Sequence, residues 1–243
     1  AVLGVTAYGL WPWLTRLGRG GPPPGVTTAS VLANTWLPPV VSAAVGVGVA
    51  LVAGFGIGAL RPLGRWSEAL LLPFAPWLFV GLGPLSLAGY DRLRGAGQLN
   101  TFIALIPPTW VAIPALVIFT VLFRGLAATW PRIDWDQGLC GGAGGWRGPL
   151  ALVRTALPMV ILVFGATVLV NAQGLCWPRL VSSDAEHQTG PVLTVRQLAE
   201  LPANHVSVEL ALPVLLLLIF AVGLGALQVF FLDRVTLRTG GAR

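Results

Sequence analysis

Between Arg19 and Arg61 the chain carries no charged residue, and from 31 to 60 most side chains are apolar or small. A helix needs about 20 such residues to cross the hydrocarbon of a bilayer. The 243 residues are 55% hydrophobic and 10% charged, against roughly a quarter charged in a soluble domain. A surface facing water cannot be covered with so little charge, so the sequence reads as an all-α membrane protein.

Five apolar segments are clear, over about 31–60, 67–88, 101–124, 150–175 and 208–232. A shorter one, 1–14, is expected to be the remainder of a truncated first helix. Its Trp11-Pro12-Trp13 resembles an interfacial belt more than a signal-peptide cleavage site. Six transmembrane helices are therefore expected. The connections are "GRGGPPPG" (18–25), "RPLGRW" (61–66), "GYDRLRGAGQLN" (89–100), an amphipathic and then Gly-rich region at 125–149 and a polar stretch at about 177–206. All fifteen basic residues are Arg, and they are scattered rather than gathered into a basic stripe. That pattern argues against nucleic acid and for loops held by anionic lipid. With both termini cytoplasmic, nine Arg fall inside and six outside, the sign the positive-inside bias requires.

Prolines punctuate the apolar segments: Pro38 and Pro39, then Pro73, Pro76 and Pro84, then Pro107, Pro108 and Pro114. Each frees a carbonyl and kinks a helix. Lipid tolerates such breaks only where protein or a watery cavity satisfies the backbone. Kinked, wrapping helices suit a transporter or channel subunit better than an anchor; a general Pro and Gly enrichment is the plainer alternative.

Several stretches, in order, resemble a known family. "SVLANTWLPPVVSAA" (30–44) is similar to a Ser-Leu-x-Asn-Ser/Thr entry into a core helix, and "RPLGRW" to a short basic turn. "LLLPFAPWLFVGLGPL" (70–85), "GQLNT" (97–101), "CWPRLVSSDAEHQTGPVLTVRQLAEL" (176–201) and "ALPVLLLLIF" (211–220) continue the series. Together they resemble the permease subunit of type I ABC importers, in the carbohydrate-uptake, maltose-permease-like branch. The resemblance implies a sugar-import subunit of the bacterial inner membrane, multi-pass, working by alternating access. Its implied partners are a second permease subunit, ABC ATPase subunits and an extracytoplasmic substrate-binding protein.

The family's cytoplasmic loop runs Glu-Ala-Ala, then Asp-Gly, then about ten residues to Leu-Pro, and docks in the ATPase. With Gly145 as the motif Gly and Leu157-Pro158 as the closing pair, Glu-Ala-Ala falls on Leu139, Cys140 and Gly141, and the Asp on Gly144. Both carboxylates are absent. Each interior Gly also costs a helix about 1 kcal/mol relative to Ala, so this coupling motif is degenerate. Asp134 and Asp136 in "WPRIDWDQG" (130–138) are the candidate replacement docking groups. A second departure is Ala172-Gln173-Gly174-Leu175, where sugar permeases often carry Trp-Asn-Glu-Phe. Asn171 and Gln173 remain as hydrogen-bonding groups on a substrate path. A permease-derived structural subunit that has lost ATPase coupling is the second reading.

The sequence offers no catalytic set, no metal-ligand spacing and no cofactor motif. "DAEHQ" (184–188) reads as a solvated loop, because its spacing matches no ligand pattern. A Walker A motif is absent. Glu209 reads as an interfacial or helix-start charge.

The orientation puts Cys140 inside and Cys176 outside, too far apart to pair. A membrane-impermeant maleimide applied to intact cells is expected to label Cys176 and to spare Cys140 until the membrane is opened. Labelling of Cys140 in sealed cells would reverse the orientation.

Overall fold

The computed structural model describes residues 25–76, 83–108, 110–129 and 147–200, together with Gly4, Tyr8, Trp11, Thr15, Ile219, Val222, Gly223, Gly225 and Ala226. Those residues contain helices and turns and no strand. Six α-helices are labelled here: α1 (Thr28–Phe55), α2 (Gly83–Gly95), α3 (Ile113–Thr129), α4 (Arg147–Ala172), α5 (Cys176–Val181) and α6 (Gly190–Glu200). Contacts divide the chain into two compact units. One comprises 1–42, 84–108 and 168–221; the other comprises 43–83, 109–167 and 222–243.

Helix α1 starts where Thr27 Oγ1 accepts a hydrogen bond from the Ser30 N–H, 3.2 Å away. This is an N-cap that satisfies one orphan donor of the first turn. The helix runs through Pro38 and Pro39 and continues as a π-helical turn, Gly56–Leu60. It ends at Arg61 in the left-handed region, φ 48°. Thr28–Leu60 is 33 residues, about 50 Å at 1.5 Å per residue. The Val153–Ala172 part of α4 adds 20 residues. The sequence predicts six spans over the whole chain; among the described residues these two helices are long and apolar enough to cross a membrane. Their outward positions are apolar: Val52 is 74% and Val170 73% exposed.

The second unit is built on close backbone approach. A Cβ at Gly54 would stand 2.7 Å from the Phe119 Cβ, and one at Gly58 would collide with the Thr120 carbonyl oxygen. Two glycines four residues apart lie on one helix face, so α1 and its π turn press directly on α3, the small-residue packing common between helices in lipid. Val47, Ala50, Leu116, Phe119, Phe123, Ala156 and Val163 fill the core around this contact. Phe55 meets Phe123 edge-to-face at 5.3 Å between centroids. Arg124 and Glu68 pair at 2.6 Å while both remain partly exposed; a pair that open to solvent contributes roughly 0–1 kcal/mol.

Two expected spans are not continuous helices. In the described part of 67–88 the chain forms a 3-10 helix, Gly64–Phe74, a turn at 75–76 and, from Gly83, α2. Pro73, Pro76 and Pro84 supply no N–H for an uninterrupted α ladder. Over 101–124 there is a 3-10 turn, Ile103–Leu105, and α3 begins only at Ile113. Pro107 and Pro108 disfavour α geometry in the residues before them. Pro114, in the first turn of α3, is tolerated because the first N–H groups of a helix lack partners in any case. Helix α3 runs on to Thr129, into the amphipathic start of the 125–149 connection. The polar stretch expected over 177–206 is largely helical as far as it is described, in α5, a 3-10 turn at Ala185–His187, and α6. The expected spans over 1–14 and 208–232 lie outside the described residues, apart from the isolated positions named above.

Gly58→Ala is expected to destabilise the protein by about 1–3 kcal/mol through overpacking. Gly48→Ala, whose Cβ would meet open space, is expected to be neutral or stabilising. Thermal unfolding of both variants in detergent checks the contrast.

Candidate functional site

The first unit closes on a junction of polar contacts. Helix α2 ends in a Schellman turn: Gln98 N–H donates to Leu93 O at 2.9 Å and Gly97 N–H to Arg94 O at 3.1 Å. That turn requires a left-handed residue, supplied by Gly97 at φ 65°. Three residues on, Asn100 is also left-handed, φ 58°, a conformation that Asn tolerates better than most non-Gly residues. Its side chain then faces residues 183–184. Asn100 Oδ1 accepts from the Ser183 N–H at 2.7 Å, the Ser183 hydroxyl at 3.2 Å and the Asp184 N–H at 3.4 Å. The Asn100 N–H donates to Val181 O at 3.0 Å.

Trp177 is the anchor below this latch. It is 4% exposed and packs with Ala104, Leu105 and Val181, flanked by Tyr90, Leu93 and Leu99. Its Nε1–H donates to Ala104 O at 2.9 Å. In an α-helix that carbonyl would accept from residue 108, which is proline and has no N–H. Trp177 thus gives this carbonyl a donor that a continued α-helix could not supply. A Cβ at Gly89 would lie 3.0 Å from the Trp177 ring, so Gly89 makes room for it.

Helix α1 joins the same junction through its first turns. Asn34 Nδ2 donates to Glu186 O at 2.8 Å. The Thr35 hydroxyl donates to Val31 O at 2.6 Å and accepts from the Gly190 N–H at 2.8 Å, at the start of α6. Asn34, Thr35, Ser182, Gln188, Thr189 and Gln197 are all buried. Val26 and Val31 pack on Leu193 beside them. His187 Nδ1 stands 3.7 Å from Asp184 Oδ2, both side chains partly exposed. Among the described residues no three His, Cys, Asp or Glu converge on a metal position.

Leu139, Cys140, Gly141, Gly144 and Gly145, with Asp134, Asp136, His205 and Glu209, lie outside the described residues. Leu157 and Pro158 lie within α4, Leu157 half exposed. Asn171 and Gln173, at the end of α4, are partly buried. The Asn171 carbonyl accepts from the Gly174 N–H at 3.1 Å, and the Gln173 N–H donates to Leu169 O at 3.1 Å. Cys176 is a free, exposed thiol. The structure gathers a different set: Asn34 and Thr35, Asn100, Trp177, and residues 182–190. In the sequence these stretches carry no sign of a joint role. The available signal was Asn100 just after a Gly-x-x step, where a polar residue able to adopt left-handed geometry ends a turn.

The class, among the described residues, is thus an all-helical protein with two helices of membrane-crossing length and a hydrogen-bonded polar junction. No protein-family model, curated protein or solved structure matches the chain.

Asn100→Ala removes three accepted hydrogen bonds and places a less tolerant residue at positive φ. It is expected to cost about 1–3 kcal/mol and to speed amide exchange at Ser183 and Asp184. Hydrogen exchange read by mass spectrometry over 181–190 checks it, with unchanged exchange counting against the latch.

Proposed function

We propose that this chain is a transmembrane permease subunit of an ABC-type sugar importer, placed in a bacterial inner membrane with both termini cytoplasmic. The observation that carries the reading is the meeting of three stretches that resemble the family: "SVLANT", "GQLNT" and "CWPRLVSSDAEHQTGP". They are distant in sequence, yet each contributes residues to one junction. Two apolar helices of crossing length support membrane placement. Six crossings, a second permease, paired ATPases and an extracytoplasmic binding protein are part of the proposal.

In this reading the importer alternates between outward- and inward-open states. Residues 125–149 meet the ATPase, and 177–206 face the binding protein. Because Leu139, Cys140, Gly141 and Gly144 stand where Glu-Ala-Ala and Asp belong, coupling falls to other groups, with Asp134 and Asp136 the nearest carboxylates. The same departure favours a second reading, a permease-derived structural subunit without ATPase coupling.

Mild-detergent purification of the native complex separates the two. The importer reading expects an ABC ATPase to copurify and its hydrolysis to respond to the complex. The structural reading expects neither. Restoring the motif with Leu139→Glu, Cys140→Ala, Gly141→Ala and Gly144→Asp is expected to raise ATP-dependent uptake severalfold in the first case and to change nothing in the second.

A further inference from the structure

Where the crossing-length helix ends at Leu60, the chain turns through residues 61–63 into the Gly64–Phe74 3-10 helix. Arg61 and Gly64 are both left-handed, φ 48° and 57°. Gly64 N–H donates to Arg61 O at 2.8 Å and Trp66 N–H to Leu63 O at 3.1 Å. Leu63 N–H donates to the buried Ser67 hydroxyl at 3.0 Å. Residues three apart eclipse in a 3-10 helix, so Leu63, Trp66, Ala69 and Leu72 form one row. Its large members are bare: Leu63 is 55%, Trp66 65% and Leu72 68% exposed. Leu71 and Phe74, in another row, pack on the core between α1 and α3. Positive charge stands at the same turn. Arg61 is partly exposed and makes no ion pair among the described residues, and Arg65 adds a second charge to the sequence. The segment's one carboxylate, Glu68, is held by Arg124 at 2.6 Å.

We propose that this turn is a docking site for anionic phospholipid, which fixes the depth at which the crossing helix ends. The combination selects the partner. A bare apolar row asks for acyl chain, an indole at the end of a crossing-length helix asks for the headgroup boundary, and uncompensated arginines ask for phosphate. Zwitterionic lipid meets the first two and offers no net charge to the third. A soluble anion meets the third and leaves the row in water. A second copy of the chain, docked about a two-fold axis, would set the same arginines against each other. An anionic bilayer surface meets all three, and in the orientation proposed above the turn faces the cytoplasmic leaflet, whose surface is negative. The site rests on the membrane placement in that proposal and fails separately from the importer reading: copurification of an ATPase tests the importer, and lipid binding tests the turn.

The experiment titrates the full chain, in dodecylmaltoside micelles, with dioleoylphosphatidylglycerol, dioleoylphosphatidylcholine or inorganic phosphate, and counts bound molecules by native mass spectrometry. The expected result is binding of phosphatidylglycerol about tenfold tighter than phosphatidylcholine, with no binding of free phosphate. Arg61→Asn and Arg65→Gln are each expected to weaken phosphatidylglycerol about fivefold, the worth of one basic residue near a charged surface, and to leave phosphatidylcholine unchanged. Trp66→Ala is expected to weaken both lipids. Asparagine tolerates the left-handed geometry of position 61; should that variant still unfold early without lipid, Arg65→Gln alone decides. The control removes two charges elsewhere: Arg92→Gln with Arg94→Gln, exposed at the end of α2 beside Asp91, is expected to change nothing. Equal affinity for the two lipids, undiminished binding by the arginine variants, or an equal loss in the control would each overturn the proposal, the last by reducing it to diffuse attraction.

Discussion

The hydrogen bond from Trp177 Nε1 to Ala104 O stands for the constraint under which the whole chain folds. Twenty prolines are set into a sequence with too little charge to face water. Every proline within a helix leaves a carbonyl without its usual donor, and away from water that carbonyl needs another. Ala104 O, just ahead of Pro107 and Pro108 where no helix continues, takes its donor from an indole 73 positions along the chain. The remaining long-range polar contacts follow the same economy. Ser42 donates to Pro107 O at 3.4 Å, Asn34 reaches Glu186 O, and Asn100 serves three donors at once.

The two compact units solve the packing problem by different means. One uses directional contacts around Asn34, Asn100 and Trp177, where left-handed geometry at Gly97 and Asn100 aims the chain. The other uses contact between backbones, with Gly54 and Gly58 admitting α3 to the surface of α1 and the π turn. Hydrogen bonds fix orientation, whereas small-residue packing fixes distance. Helices α1 and α4 each supply residues to both units. Pro38 and Pro39 in α1 and Pro158 in α4 stand within these shared elements.

A junction built from buried polar groups matters functionally because it is easily upset. Each of its hydrogen bonds contributes only about 0.5–1.5 kcal/mol net, yet leaving a partner buried and unmatched costs about 1–3 kcal/mol. Such a junction holds firmly when fully paired and yields when one partner is lost.

The apolar pattern alone established the helical class, and two of the six spans it predicted are crossing-length helices among the described residues. The second span, expected from about 31, begins as α1 at Thr28. The pattern overestimated continuity over 67–88 and 101–124, where hydropathy is unbroken but proline removes the donors a helix needs. The polar run at 176–200 read as loop because its burial depends on Trp177, Val192 and Leu193 meeting residues far away in sequence. The junction itself was decided by tertiary structure alone. Asn34, Asn100 and Thr189 are ordinary polar residues in the sequence, and only long-range closure converts them into buried, interlocking hydrogen-bond partners.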